Sequence, residues 1–162
     1  MQFNATGKRI EQNQATENNS MLKEGSLLYF DPFVFKNGAT PKPKYFVVMA
    51  VMDDGRLMLA SLPTSKDHIP ANATVVRGCV NIPESSLNVY VFEQGDQATE
   101  NFCFPRRTYI YGEQLDIYTC EYIDGMSSNM RDLGTLLPKL FTAVKACLKQ
   151  ATNVSQKYLK WL

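Results

Sequence analysis

The stretch "KYFVVMAVMDDGRLMLASL", residues 44–62, decides the fold. Two apolar runs, 44–52 and 56–62, flank Asp53-Asp54-Gly55. An Asp-Gly step accepts positive φ and closes a tight hairpin, so the two runs are expected to be antiparallel neighbours. Outward from this hairpin, short β-branched and aromatic runs alternate with Gly, Pro, Asn and Asp clusters, which is the texture of successive strands. Five more runs, at 26–35, 74–82, 88–92, 108–112 and 116–123, bring the expected number to seven strands in a mainly β domain.

After residue 125 the period changes. Leu137, Leu140, Phe141, Val144 and Leu148 fall on one face of a helix over 135–150. Thr135 is placed to cap its first turn, where Pro138 is tolerated because early helix amides lack intrahelical acceptors. The tail, 151–162, repeats the spacing with Val154, Tyr158, Trp161 and Leu162, and either extends the helix or docks a second one. This stripe packs on the sheet or, if exposed, meets a partner. Residues 1–24 are rich in Asn, Gln and Glu with isolated apolar positions, and are expected to form a flexible arm ahead of one domain over 25–162.

Composition narrows the class but not the partner. Hydrophobic residues make up 44% and charged residues 20%, as in ordinary globular chains, and the formal net charge is +1. An obligate duplex-DNA binder is more often basic overall, although a local cationic patch is compatible with neutrality. Cys79, Cys103, Cys120 and Cys147 form no C-x-x-C pair and read as small core residues. With a single histidine, His68, and no clustered ligand set, no metal or cofactor is expected. The N-terminal segment lacks the apolar core of a signal peptide, and no run approaches a membrane span, so no membrane and a cytoplasmic location are expected.

Three polar stretches could carry chemistry. "LPTSKDHIP", 62–70, sets Thr64, Ser65, Lys66, Asp67 and His68 between two prolines at a strand end. Hydroxyls beside a lysine and an imidazole suit a phosphate or another oxyanion, while a solvated turn is the plainer reading. Ser65 and His68 are too close in sequence for a local Ser-His-Asp triad. "FPRRTYIYGEQL", 104–115, offers Arg106 and Arg107 as forked phosphate donors beside tyrosines able to stack bases. Alternatively, the arginines blunt a sheet edge and Tyr109 and Tyr111 face core or solvent. "KNGATPKPK", 36–44, adds Lys36, Lys42 and Lys44 in a cationic loop.

Taken in order, "EGSLLYFDPF" (24–33), "PKPKYFVVMAV" (41–51), "LASLPTSK" (59–66) and "YGEQL" (111–115) resemble the PemK/MazF family of toxin endoribonucleases over roughly 24–125. The resemblance implies a small SH3-like barrel with a C-terminal helix. It also implies metal-independent cleavage of single-stranded RNA by the ribose 2′-hydroxyl, leaving a 2′,3′-cyclic phosphate and a 5′-hydroxyl. Lys42-Pro43 stands where the family has Arg-Pro, Thr64 and Ser65 occupy its hydroxyl corner, and Glu113-Gln114-Leu115 resembles its Asp-Gln-Val element. On that footing Lys42, or Lys44, stabilises phosphate or protonates the leaving group, and Thr64 and Ser65 donate to nonbridging oxygens. Glu113 is base or orienter, Lys66 steers the RNA backbone, Arg106 or Arg107 clamps phosphate, and His68 is a peripheral RNA-binding residue. A homodimer and an antitoxin partner follow by the same analogy.

Lysine in place of the family's arginine removes bidentate geometry. The connection over 81–107 is longer than the compact family pattern. The competing expectation is an SH3-like barrel that binds nucleic acid or a protein partner without cleaving; a third is a mobile-element accessory protein that uses the barrel structurally.

Overall fold

The computed structural model describes residues 22–151 and 154–162, so the arm expected over 1–24 falls almost wholly outside the described residues. The fold is mainly β with a C-terminal helix. One sheet runs β10-β1-β2-β3-β9 and is antiparallel throughout. Its strands are β1 (Ser26–Phe33), β2 (Lys42–Val51), β3 (Leu57–Ser61), β9 (Leu115–Tyr118) and β10 (Met130–Thr135). The second sheet joins β4 (Gly78–Ile82), β5 (Leu87–Phe92) and β8 (Thr108–Tyr111), and β6 (Gln97–Thr99) pairs with β7 (Phe102–Cys103) in a separate hairpin. Backbone pairing among the described residues closes no barrel.

The hairpin at the centre forms as its sequence requires. Met52 and Arg56 close the loop through a 2.8 Å bond from the Met52 amide, and Gly55 takes φ +89°, a conformation that side chains rarely adopt. β2 and β3 then pair from Phe46↔Ser61 to Val51↔Leu57.

Three strands lie outside the seven expected. β10 carries Asp132, Gly134 and no β-branched residue before Thr135, so nothing in its composition marks it as a strand. β6 and β7 are too short to show a period. The run expected at 116–123 divides: β9 ends at Tyr118, and helix α1 (Cys120–Asp124) follows because Thr119 Oγ1 accepts from the Tyr122 amide at 3.1 Å. Helix α2 (Pro138–Lys149) starts later than expected. Thr135 ends β10, Leu137 is the N-cap, and Pro138 occupies the first turn. Helix α3 (Gln156–Leu159) lies in the tail.

Alternation along each strand splits the interior into three cores. Leu27, Val47, Met49, Met58, Phe92, Phe104 and Ile110 fill the space between the two sheets, where Val144 and Leu148 of α2 also insert. On the far side of the large sheet, Leu28, Phe30, Phe33, Phe46, Val48 and Leu59 pack with Ile123 of α1. On the far side of the small sheet, Val89, Val91, Tyr109 and Tyr111 lie against Ile69 and Val75 of the long β3–β4 connection. The helical stripe of α2 is therefore core. Asn88 Nδ2 donates to the Cys147 carbonyl at 2.9 Å, satisfying an acceptor in the last turn of α2.

The cysteines depart from the expectation. Cys79 of β4 and Cys147 of α2 form a disulfide across 68 residues, Cys103 is exposed, and Cys120 Sγ bonds the Gly55 carbonyl. Spacing gives no hint of the pairing, because it arises only where α2 lies against β4. No helix among the described residues is long and apolar enough to cross a membrane.

Phe92 is 1% exposed and meets Phe104 at 4.7 Å between ring centroids, at the centre of the space between the sheets. Phe92→Ala is expected to lower the unfolding free energy by about 3–5 kcal/mol in chemical denaturation. A loss below about 1 kcal/mol would place the core elsewhere.

Candidate functional site

The first three residues of β2 leave the interior. From Phe46 to Ala50 the strand is buried on both faces, but Lys42 and Pro43 are exposed and Lys44 is half-buried. Two grooves open here and share Lys42 and Lys44. The first, of about 550 Å³, is bounded by Tyr29, Tyr45, Thr64, Ser65 and Arg106. No carboxylate lines it among the described residues. The second, of about 570 Å³, has Phe46, Leu59 and Tyr118 as apolar wall and Glu113, Gln114 and Asp116 as polar wall.

The "LPTSKDHIP" corner owes its position to the small sheet. The Leu62 amide donates to the Tyr45 carbonyl at 3.0 Å, and the Tyr109 amide donates to the Pro63 carbonyl at 2.9 Å, so the segment bridges the two sheets. Tyr111 Oη donates to the Ser65 carbonyl at 2.7 Å. Ser65 Oγ donates to Asp67 at 2.9 Å, and Lys66 is exposed on the loop. His68 is an anchor. Its ring meets the edge of Tyr111 at 4.9 Å, its Nδ1 lies 3.1 Å from Glu113 Oε1, and its Nε2 lies 3.4 Å from Gln114 Nε2.

Among the predicted residues, Lys42, Lys44, Thr64, Ser65 and Arg106 are brought together on the first groove. Glu113 lines the second groove and meets the others only through Lys42 and Lys44. Arg107 lines neither. Its guanidinium holds both oxygens of Glu93, at 2.7 and 2.5 Å, and is a structural clamp. Tyr109 and Tyr111 are each 1% exposed, and no base can reach them. Lys36 is also occupied, 3.0 Å from Asp116 and over the Tyr118 ring. Tyr29 and Tyr45 line the first groove without having been singled out in the sequence. The only signal was strand register, since both rings belong to predicted strands and become neighbours only through the β1–β2 pairing.

Burial, followed by the charge of Lys42, holds the Lys44 ammonium below the usual lysine range. Burial, followed by Tyr29, raises the Tyr45 phenol and keeps it protonated. Burial also pushes the Tyr111 hydroxyl up to about 12, so it remains a donor to the loop. Among the described residues, Lys42, Lys44 and Arg106 make no ion pair. No three His, Cys, Asp or Glu side chains converge among the described residues. The first groove therefore presents positive charge and hydroxyls, a setting suited to an anion.

A scan against protein-family models gives no match, and a search of curated proteins gives none either.

Two carboxylates between β5 and β6, outside both grooves, pair with arginines. Hydrogen bonds from Arg107 hold Glu93 below the ordinary carboxylate range, and those from Arg77 do the same for Asp96. Both groups ionise more readily in the folded chain. Their contribution is present at neutral pH and is lost as pH falls through their depressed values. The thermal midpoint is expected to drop on acidification below about pH 4, and Glu93→Gln is expected to flatten part of that drop. A midpoint that rises on acidification would contradict the assignment.

Proposed function

We propose that the first groove binds the backbone of single-stranded RNA and that the protein is a metal-independent endoribonuclease of the PemK/MazF-like kind. The carrying observation is that Lys42 and Lys44 are shared between a groove lined by donors and a groove holding a carboxylate. A phosphodiester seated over the lysines receives a hydrogen bond from Thr64, a second from Ser65 once its hydroxyl turns away from Asp67, and charge from Arg106. Glu113, steadied by His68, accepts the proton of the ribose 2′-hydroxyl. The 2′-oxygen then bonds to phosphorus, the bond to the 5′-oxygen breaks, and Lys44 gives its proton to that leaving oxygen. The products are a 2′,3′-cyclic phosphate and a 5′-hydroxyl.

A depressed lysine suits the acid role because it releases a proton more readily than an ordinary ammonium, and the arriving phosphate favours its charged form. On this reading the protein acts in the cytoplasm as a homodimer. An antitoxin with an acidic segment silences it by competing for the cations of the groove. One observation favours a second reading, that of a module binding nucleic acid or a protein partner without cleavage: Glu113 and the hydroxyl corner line different grooves.

Purified protein incubated with mixed-sequence single-stranded RNA in EDTA is expected to yield fragments ending in cyclic phosphate. Lys44→Ala and Glu113→Gln each lower kcat/KM by about 10²–10⁴-fold, and Lys42→Ala and Thr64→Ala each lower it by about 10-fold or more. Since the acid must be protonated, kcat/KM falls as pH rises through the depressed Lys44 value, at a lower pH than an ordinary lysine would give. In Lys44→Arg this alkaline limb is absent. Binding without cleavage at any pH supports the second reading and overturns the first.

A further inference from the structure

We propose that Tyr29 and Tyr45, with Arg131 above Tyr29, form a platform on which two successive bases of a single strand stack, adjoining the phosphate seated at Lys44. This rests on the RNA-binding reading of the same groove but not on cleavage. The platform is built by strand register. Tyr45 of β2 stands opposite Tyr29 of β1, and Tyr29 stands opposite Arg131 of β10, so a cation and two rings form one row across three strands. Side chains directly opposite on one face of a sheet are neighbours. The ring centroids of Tyr29 and Tyr45 are 4.7 Å apart with planes inclined at 45°, and the Arg131 guanidinium lies 5.1 Å from the Tyr29 centroid.

Tyr45 packs on Phe102 and Phe104 at the edge of the core, and two further facts mark the pair as a surface. Both rings are half-buried and line the first groove, whereas Leu27 and Val47, the next residues on the same face of the same strands, are 0% exposed. The pair is therefore where the inter-sheet core opens to solvent. Lys44, next to Tyr45 in the chain, is half-buried with a depressed ammonium, and Arg106 bounds the same groove. Aromatic faces beside backbone-binding cations are what single strands need, because every base has a π-face and every linkage a charge. Phe102, 5.6 Å from Tyr45, limits the platform on its β7 side. Stacking of this kind reads the base and not the sugar, so the platform takes RNA and single-stranded DNA alike, and the 2′-hydroxyl matters only to the cleavage step.

The test uses a short 2′-O-methyl RNA, which cannot be cleaved, with 2-aminopurine at one position. Wild-type protein is expected to quench its fluorescence and to bind it about ten-fold more tightly than the same oligomer abasic at that position. Tyr45→Ala removes the quench and the ten-fold difference, Tyr45→Phe recovers them by keeping the ring, and Tyr29→Ala removes the quench at the neighbouring position. A 2-aminopurine single-stranded DNA of the same sequence is quenched as well.

Equal affinity for the abasic and intact oligomers overturns the platform, and this arm needs no variant to fold. Capture of an aromatic peptide with no binding of the oligomer also overturns it. Quenching without any cleavage of ordinary RNA leaves the platform standing and removes the nuclease reading; cleavage without quenching does the reverse.

Discussion

β2 is hydrogen-bonded on both edges, to β1 and β3, and is buried on both faces from Phe46 to Ala50. A strand so enclosed cannot carry charge along its length, because an unpaired buried ammonium costs more than its neighbours return. Its charges collect where it emerges, at Lys42 and Lys44, which line both grooves. Half-burial, followed by the charge of Lys42, lowers the Lys44 ammonium. The location of the candidate site is thus a consequence of how the central strand is packed.

The second sheet supplies the other wall. β8 has Ile110 turned into the inter-sheet core and Tyr109 and Tyr111 turned outward, where the β3–β4 connection covers them. The same covering brings Pro63 onto the Tyr109 amide and Ser65 onto the Tyr111 hydroxyl, and so fixes the hydroxyl corner beside β2. His68 then ties the end of this loop to Glu113 and Gln114. Gln114 Oε1, buried and without a hydrogen-bond partner among the described residues, marks where the second groove is incompletely satisfied.

Much of the fold is legible in local patterns. The Asp53-Asp54-Gly55 turn, the β-branched and aromatic run of β5 and the stripe of α2 each follow from a few neighbouring residues. β10 is not legible, since an edge strand with Asp132 and Gly134 is held by its pairing with β1 and not by its own propensity. The Cys79–Cys147 bond is likewise a product of packing. In the site, Thr64, Ser65, Lys42 and Lys44 stand at strand ends that the sequence marks. Arg106 and Arg107 are indistinguishable until Glu93, fourteen residues away, claims the second of them. The Tyr45–Tyr29–Arg131 row depends on register across three strands, information that no single stretch contains.

The central claim is that a single strand is held where β2 leaves the core. Backbone amide NMR during titration with an uncleavable 2′-O-methyl RNA tests it most directly. The largest shifts are expected at residues 44–45, 64–65 and 106–108, with little change along the exposed face of α2. Shifts confined to α2 or to the β6–β7 hairpin, with residues 44–45 and 64–65 unmoved, would contradict the account.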